Sequence, residues 1–395
     1  MRIVLKQICD LKQCTGCMVC YDSCPRKAIE QQEREGFFYP VINEQICIGC
    51  GLCADVCPTY HAVSEKRPLA DTAYAVFHKD KQVRDSSSSG GVFYSLAKSI
   101  LAEGGVVYGA AWTKEVAVKH IRIDSAEDIS LLQGSKYVQS DMRDMYNTVR
   151  ADLQTGKKVL FSGVPCQIAG LQSYLQIKYD NLYTCEVLCH GNGSPVIFEE
   201  HRKYISRTCG SEVVKVDFRH KTEKRCQNLA IGFQNGTSVL INNPMEDWYY
   251  YGFLTGIVLR PSCYQCQYVG TERMADITLA DFWGLKEGSM KFPDHITYPS
   301  LVFVNSRKGQ TLFQKNIENW EIVRRSVEEA VWGNLSLRRA LPEHKWRKKF
   351  FKEYHEYGYE RAGEKCLIPH FDWKDRIKKM IGKKATAFLV KVLKR

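Results

Sequence analysis

Cys14, Cys17, Cys20 and Cys24 stand in the spacing C-x2-C-x2-C-x3-C, closed by Pro25, and Cys47, Cys50, Cys53 and Cys57, closed by Pro58, repeat it. Three thiolates so close together can wrap one 4Fe-4S cubane. The fourth cannot turn back onto the same cube and reaches its neighbour. This spacing assigns Cys14, Cys17, Cys20 and Cys57 to one cluster, and Cys47, Cys50, Cys53 and Cys24 to a second. Gly16 and Gly49 suit the tight turns, because glycine tolerates positive φ and lets amides approach sulfur. Zinc fits poorly: a zinc site pairs two C-x2-C units and needs only four ligands. Cys9 belongs to neither run and reads as an ordinary thiol.

The wider composition agrees with metal rather than disulfide. Of 17 cysteines, nine precede residue 58. Disulfide frameworks belong to short secreted chains, whereas this one has 395 residues and begins Met1-Arg2-Ile3-Val4 without a long apolar run or a cleavage-like site. A reducing cytoplasm is the expected compartment. With no stretch of about 18 apolar residues, no membrane-spanning helix is expected. The net charge is +12, but from Lys374 to Arg395 nine Lys or Arg face one acid, Asp375, so the tail supplies +8 of it. The rest is only mildly basic, which argues against nucleic acid as a partner.

These residues need elements to hold them. The length suggests two or three domains. The duplicated cysteine runs define an α+β, ferredoxin-like two-cluster domain over residues 1–65, with a charged, Pro-containing linker over 59–72. A larger α/β domain is expected over 73–340, followed by a basic helical tail over 341–395. Strands are expected at 73–77, 106–112, 116–123, 158–161 and 182–188. Val92, Phe93, Leu96, Ala97, Ile100 and Leu101 recur at helical spacing, and helices are expected at 141–153 and 167–175. After about residue 210 the strands shorten and Gly, Asn and aromatic residues increase.

Within the larger domain stand five local motifs. They are Ser86-Ser87-Ser88-Ser89-Gly90-Gly91 before a helix, Gly134-Ser135-Lys136-Tyr137, and the strand-to-helix turn Gly163-Val164-Pro165-Cys166-Gln167. Cys189-His190-Gly191 follows, and then Arg260-Pro261-Ser262-Cys263-Tyr264-Gln265-Cys266, continuing to Asp276 and Ala280-Asp281-Phe282-Trp283-Gly284. Together and in this order they resemble the coenzyme F-420 hydrogenase/dehydrogenase beta subunit family, over most of residues 1–285. The family includes deazaflavin-reducing hydrogenase and formate dehydrogenase subunits and some chlorophyll-pathway reductases. Its members carry FAD and 4Fe-4S clusters. This chain looks most like the bacterial relatives whose substrate is unassigned. Residues 285–395 match no motif of the family.

The resemblance implies an FAD site. Ser88, Ser89, Gly90 and Gly91 open a helix and can present bare amides to a pyrophosphate; taken alone, a serine-rich loop is more often a flexible linker. Gly134, Ser135, Lys136 and Tyr137 are expected to add phosphate neutralisation and ring stacking, and Gly163, Pro165 and Gln167 to line the same site. The resemblance also implies a third 4Fe-4S cluster on Cys166, Cys189, Cys263 and Cys266. Cys185 competes with Cys189, because on a continuing strand the two share a face, and buried apolar cysteines are common. Cys209, Cys226 and Cys366 look incidental. His190 and His220 lie near the motifs, and neither is assigned a catalytic role.

The expected function is that of an iron-sulfur flavoprotein oxidoreductase, moving electrons between ferredoxin-type clusters, a third cluster and FAD, to or from an unknown two-electron substrate. The alternative is a non-catalytic electron-transfer subunit serving a catalytic partner, with a redox-sensing binding protein as a weaker third reading. The family name does not make coenzyme F-420 the substrate, since no phosphate-and-glutamyl-binding pattern is visible. In the tail, Ile377, Met380, Ile381, Phe388, Leu389 and Val392 fall on one helical stripe among lysines. Such a helix can lie on an anionic membrane, dock on an acidic partner such as a ferredoxin, or pack on the body. The expected location is therefore cytoplasmic, with peripheral membrane contact open.

Overall fold

The structure is a computed structural model, and it describes residues 7–61, 66–68, 70–222, 227–285 and 298–368. The tail stripe from Ile377 to Val392 and Cys226 lie outside the described residues.

The N-terminal segment pairs two strands, β1 (Ile29–Arg34) and β2 (Phe37–Ile42), as an antiparallel hairpin between the two cysteine runs. Each run continues into a single helical turn, Val19–Ser23 and Leu52–Asp55. Phe37, Tyr39 and Ile42 from β2 close over Cys14, Cys20 and Cys57. The hairpin thus supplies the apolar wall that a segment so short and cysteine-rich lacks.

The larger part is built on an eight-stranded mixed sheet. In chain order its strands are β3 (Ala73–His78), β4 (Val106–Trp112), β5 (Val118–Ile123), β6 (Val159–Gly163) and β7 (Leu182–Val187). Between these and the last strands comes a separate antiparallel sheet of β8 (Val213–His220), β9 (Asn228–Phe233) and β10 (Ser238–Ile241). The main sheet is completed by β11 (Ile277–Asp281), β12 (Ser300–Val304) and β13 (Trp320–Arg325), in the order β13-β3-β12-β11-β7-β6-β4-β5. Its centre, β11-β7-β6-β4, is parallel. The strands run nearly continuous in apolar residues because helices cover both faces. Val159 and Phe161 face the helices Met145–Gln154 and Pro165–Leu175, while Leu160 between them faces the helix Val92–Ala102.

The expected strands at 73–77, 106–112, 158–161 and 182–188 and the helices at 92 and 167 correspond to observed elements within two residues at either end. The expected helix from 141 begins later, at Met145. Its first turn is taken over by Asp22 of the N-terminal segment, whose carboxylate accepts the Asp144 and Tyr146 N–H groups at 2.7 and 2.8 Å. That docking, with Cys17, Met18 and Val19 packed among Tyr146, Ile168 and Leu171, joins the cysteine-rich segment to the sheet. The helices Arg347–Tyr357 and Tyr359–Cys366 bury Phe350, Phe351, Tyr359 and Ala362 in the core under the three-stranded sheet. Among the described residues no helix is long and apolar enough to cross a membrane.

Candidate redox centre

Gly16 and Gly49 both sit at φ +68°, in the left-handed region that the tight ligand turns require. The Gly49 and Ala28 amides point at Cys47 Sγ and Cys24 Sγ, at 3.4 and 3.2 Å. The thiols fall into two crossed neighbourhoods. The Cys17 thiol is pushed up to about 12, by burial first and then by the charges of Cys57 and Cys14. That of Cys53 is raised by burial first and then by Cys24 and Cys50. Cys14, Cys17, Cys20 and Cys57 are buried, Cys24, Cys47 and Cys53 are half-buried, and Cys50 is exposed. Cys9 is less detached than its spacing implied: it is buried, and Cys14 and Cys57 beside it push its thiol well above the ordinary range.

A second group of thiols gathers beyond the carboxyl ends of the parallel strands, where open α/β sheets place their ligands. β6 ends at Gly163, and the turn to the helix Pro165–Leu175 delivers Cys166. Gln167 fixes this turn. Its Oε1 accepts the Val164 N–H at 3.0 Å, and its Nε2 donates to Ser140 Oγ at 2.8 Å. Cys263 lies within the turn Pro261–Gln265, and Cys266 closes it. Burial drives the Cys166 thiol well above its ordinary range, and Cys189, Cys266, Cys263 and Cys17 push the same way. Neutral thiols crowded like this ionise only against a strongly positive core.

Cys185 is not among them. It lies on β7 in the core between the sheet and the helix Val92–Ala102, and after burial its thiol responds to Glu186 and Asp276 rather than to any cysteine. The shared-face argument fails because β7 stops at Val187. Cys189 therefore stands in the following turn. Cys209 is exposed at a helix end, and Cys366 is buried in the core away from both groups. Among the described residues no three His, Cys, Asp or Glu side chains converge on one point as a single-ion site needs.

All four of these cysteines, Cys166, Cys189, Cys263 and Cys266, line one cavity of about 840 Å³. So do Ser88, Ser89, Gly91, Gly134, Ser135, Lys136, Tyr137, Gly163, Pro165 and Gln167. Gly90 does not line it. A Cβ there would lie 2.1 Å from the Val76 carbonyl, so this glycine lets the loop pass against the sheet. The Ser88 and Ser135 hydroxyls bond at 2.9 Å and tie the two loops together. Lys136 is partly exposed at the cavity wall. Its Nζ donates to the Gln133 carbonyl at 2.7 Å, and burial lowers it to about 8. Tyr137 stacks on Phe253 at 4.5 Å between ring centroids.

Three cavity residues carried no local signal in the sequence. Arg219 leaves β8 to pair with Asp281 at the end of β11, at 2.7 Å, and Arg273 pairs with the buried Glu186 at 2.5 Å. Each keeps one buried nitrogen without a partner, Nε of Arg219 and Nη2 of Arg273. His120 is held at about 4 by burial. Its Nε2 donates to the Ser162 carbonyl at 3.0 Å, so its Nδ1 accepts from Ser140 Oγ at 2.8 Å. His190 lines the cavity with Nε2 bonded to the Leu254 carbonyl at 3.1 Å. His220 instead bonds Asp217 at 3.1 Å.

Residues 156–330 match the family described as the C terminus of the coenzyme F420 hydrogenase/dehydrogenase beta subunit, and residues 13–60 match a 4Fe-4S dicluster domain. These two spans are similar to an iron-sulfur redox family. The match runs past residue 285, where the family motifs visible in the sequence end, and takes in β12 and β13. The loops at 86–91 and 134–137 lie outside both matched spans. Among solved structures, a chain of the F420-reducing [NiFe] hydrogenase complex from Methanosarcina barkeri is 19% identical, over 76% of this chain and 92% of that one, with a TM-score of 0.45. No curated protein matches the sequence. The matched spans make the chain an iron-sulfur electron-transfer protein.

Proposed function

We propose that the chain is an iron-sulfur flavoprotein oxidoreductase that carries electrons between a surface entry at Cys50 and an FAD held in the 840 Å³ cavity. What carries this reading is that a single cavity has as one border Cys166, Cys189, Cys263 and Cys266 and as another Ser87, Ser88, Ser89, Gly91 and the loop at 134–137. A third 4Fe-4S cluster fits the first border, whose amide donors include Asn192 N–H at 3.2 Å from Cys263 Sγ. The second border suits the pyrophosphate and ring of FAD. It offers the amides that open the helix Val92–Ala102, the amine of Lys136 and the ring of Tyr137. The partnerless nitrogens of Arg219 and Arg273 are further donors for an anion. When bound, a flavin exchanges electrons singly with clusters and in pairs with an organic substrate.

Cys50 is exposed, Cys14 and Cys57 are buried, and Cys166 senses Cys17 across the joint between the segments. This gradation of burial and the nearness of Cys17 to Cys166 support an order from solvent through the N-terminal sets to the cavity, which a relay needs. A redox partner protein, such as a ferredoxin or a catalytic subunit, would meet the line at its exposed end.

One observation favours the second reading, an electron-transfer subunit without chemistry of its own. Both ring nitrogens of His120 are committed to protein partners, and His190 Nε2 is bonded to a carbonyl. Neither histidine is thus poised to move a proton at a substrate.

The deciding experiment is the iron, sulfide and flavin content of protein purified without oxygen. About twelve irons and one FAD per chain support three clusters feeding a flavin. About eight irons and no flavin would remove both the third cluster and the FAD.

A further inference from the structure

We infer that Arg260 is the built-in counter-charge of the cluster on Cys14, Cys17, Cys20 and Cys57, and that it keeps this buried cluster reducible. The inference rests on the cluster reading of those four cysteines. Arg260 is 1% exposed, among the largest fully buried side chains of the protein. A buried guanidinium is costly unless an anion faces it. Three other buried arginines each face a carboxylate: Arg273 has Glu186, Arg219 has Asp281 and Arg347 has Glu35. Arg260 has no carboxylate partner among the described residues. Its Nε donates to the Cys14 carbonyl at 2.7 Å, and Nη1 donates to Gln139 Oε1 at 2.9 Å. Nη2 donates to the Phe38 carbonyl at 3.1 Å and points at Cys14 Sγ at 3.6 Å. The rings of Tyr39 and Phe37 flank it at 4.2 and 5.5 Å. Every acceptor it meets among the described residues is neutral except the one sulfur that belongs to the cluster set.

A cubane held by four thiolates is net negative, and reduction adds to that charge. Burial disfavours the more negative state, so a buried cluster without compensation resists reduction. A fixed cation with a hydrogen bond to a ligand sulfur acts the opposite way. Arg260 is positioned for this from the neighbouring turn: its N–H is tied to the Asn192 carbonyl at 2.9 Å, and its own carbonyl accepts the Cys263 N–H at 2.9 Å. One residue therefore touches both cysteine sets. The set of Cys24, Cys47, Cys50 and Cys53 receives no hydrogen bond from a charged side chain among the described residues. Its exposure lets solvent do that work.

The test is an anaerobic redox titration of the full chain, followed by electron paramagnetic resonance, on the parent, Arg260→Gln and Arg260→Lys. In the parent, iron content must first show the N-terminal clusters; a chain without them would sink the cluster reading itself. With iron intact, Arg260→Gln is expected to make one N-terminal cluster at least tenfold harder to reduce, about 59 mV for a one-electron couple. Arg260→Lys should shift it by less than half as much, and the other cluster should stay in place. Loss of about four irons from Arg260→Gln but not from Arg260→Lys would also support a charge role. Unchanged potentials in a fully loaded Arg260→Gln protein would overturn it, as would equal loss of iron from both variants, which would mark Arg260 as a packing residue.

Discussion

The Tyr146 hydroxyl donates to the Cys17 carbonyl at 2.9 Å, and the Gln167 carbonyl stands 3.5 Å away on its other side. A side chain of the sheet domain thus pins the first cysteine loop beside the turn that delivers Cys166. Tyr146 is fully buried, so Tyr146→Phe leaves the Cys17 carbonyl without its donor. The expected cost is about 1–3 kcal/mol of stability, read as a lower denaturant midpoint under anaerobic conditions. An unchanged midpoint would mean that water takes over the bond.

The placement of Cys189 in a turn and of Cys185 in the core separates the two by experiment. Cys189→Ser is expected to lose about four irons per chain, while Cys185→Ser keeps its full content. The reverse result would show that β7 continues through residue 189 when metal is bound.

Lys136 carries a charge below about pH 8 and loses it above, because burial depresses its amine. Affinity of the flavin-free protein for FAD should therefore fall as pH rises through about 8, measured by quenching of flavin fluorescence at pH 7 and 9. Lys136→Met should weaken binding about tenfold, the loss of one charge-assisted hydrogen bond, and should abolish this pH dependence. If both proteins bind alike at both pH values, the amine serves only the loop carbonyls.

His120 is neutral in the folded protein, held at about 4 by burial against an ordinary 6.5. A depressed folded pKa means that its stabilisation is full above 6.5 and is lost as pH falls from 6.5 toward 4. About 2 kcal/mol should be gone by about pH 5. Comparing unfolding midpoints at pH 7.5 and 5 in the parent and in His120→Gln checks this, since the variant should lose less over the same range.

The two cysteine runs of the dicluster domain and the glycine turns were legible in the sequence because 4Fe-4S ligation is local. Spacing over eleven residues dictates which sulfurs can reach one cube. The parallel strands were legible too, since a sheet buried on both faces demands apolar runs. Tertiary structure alone decided the rest. Cys185 and Cys189 are separated only by where β7 stops, which depends on its pairing with β6 and β11. Gly90 belonged to a glycine-rich loop by sequence, yet its work is to let backbone pass backbone. Arg219 and Arg273 look like surface cations in sequence and are buried because Asp281 and Glu186, 62 and 87 residues away, meet them. Arg260 reaches Cys14 across 246 residues. Charge compensation acts through space, and no local pattern records which distant group will face a buried charge.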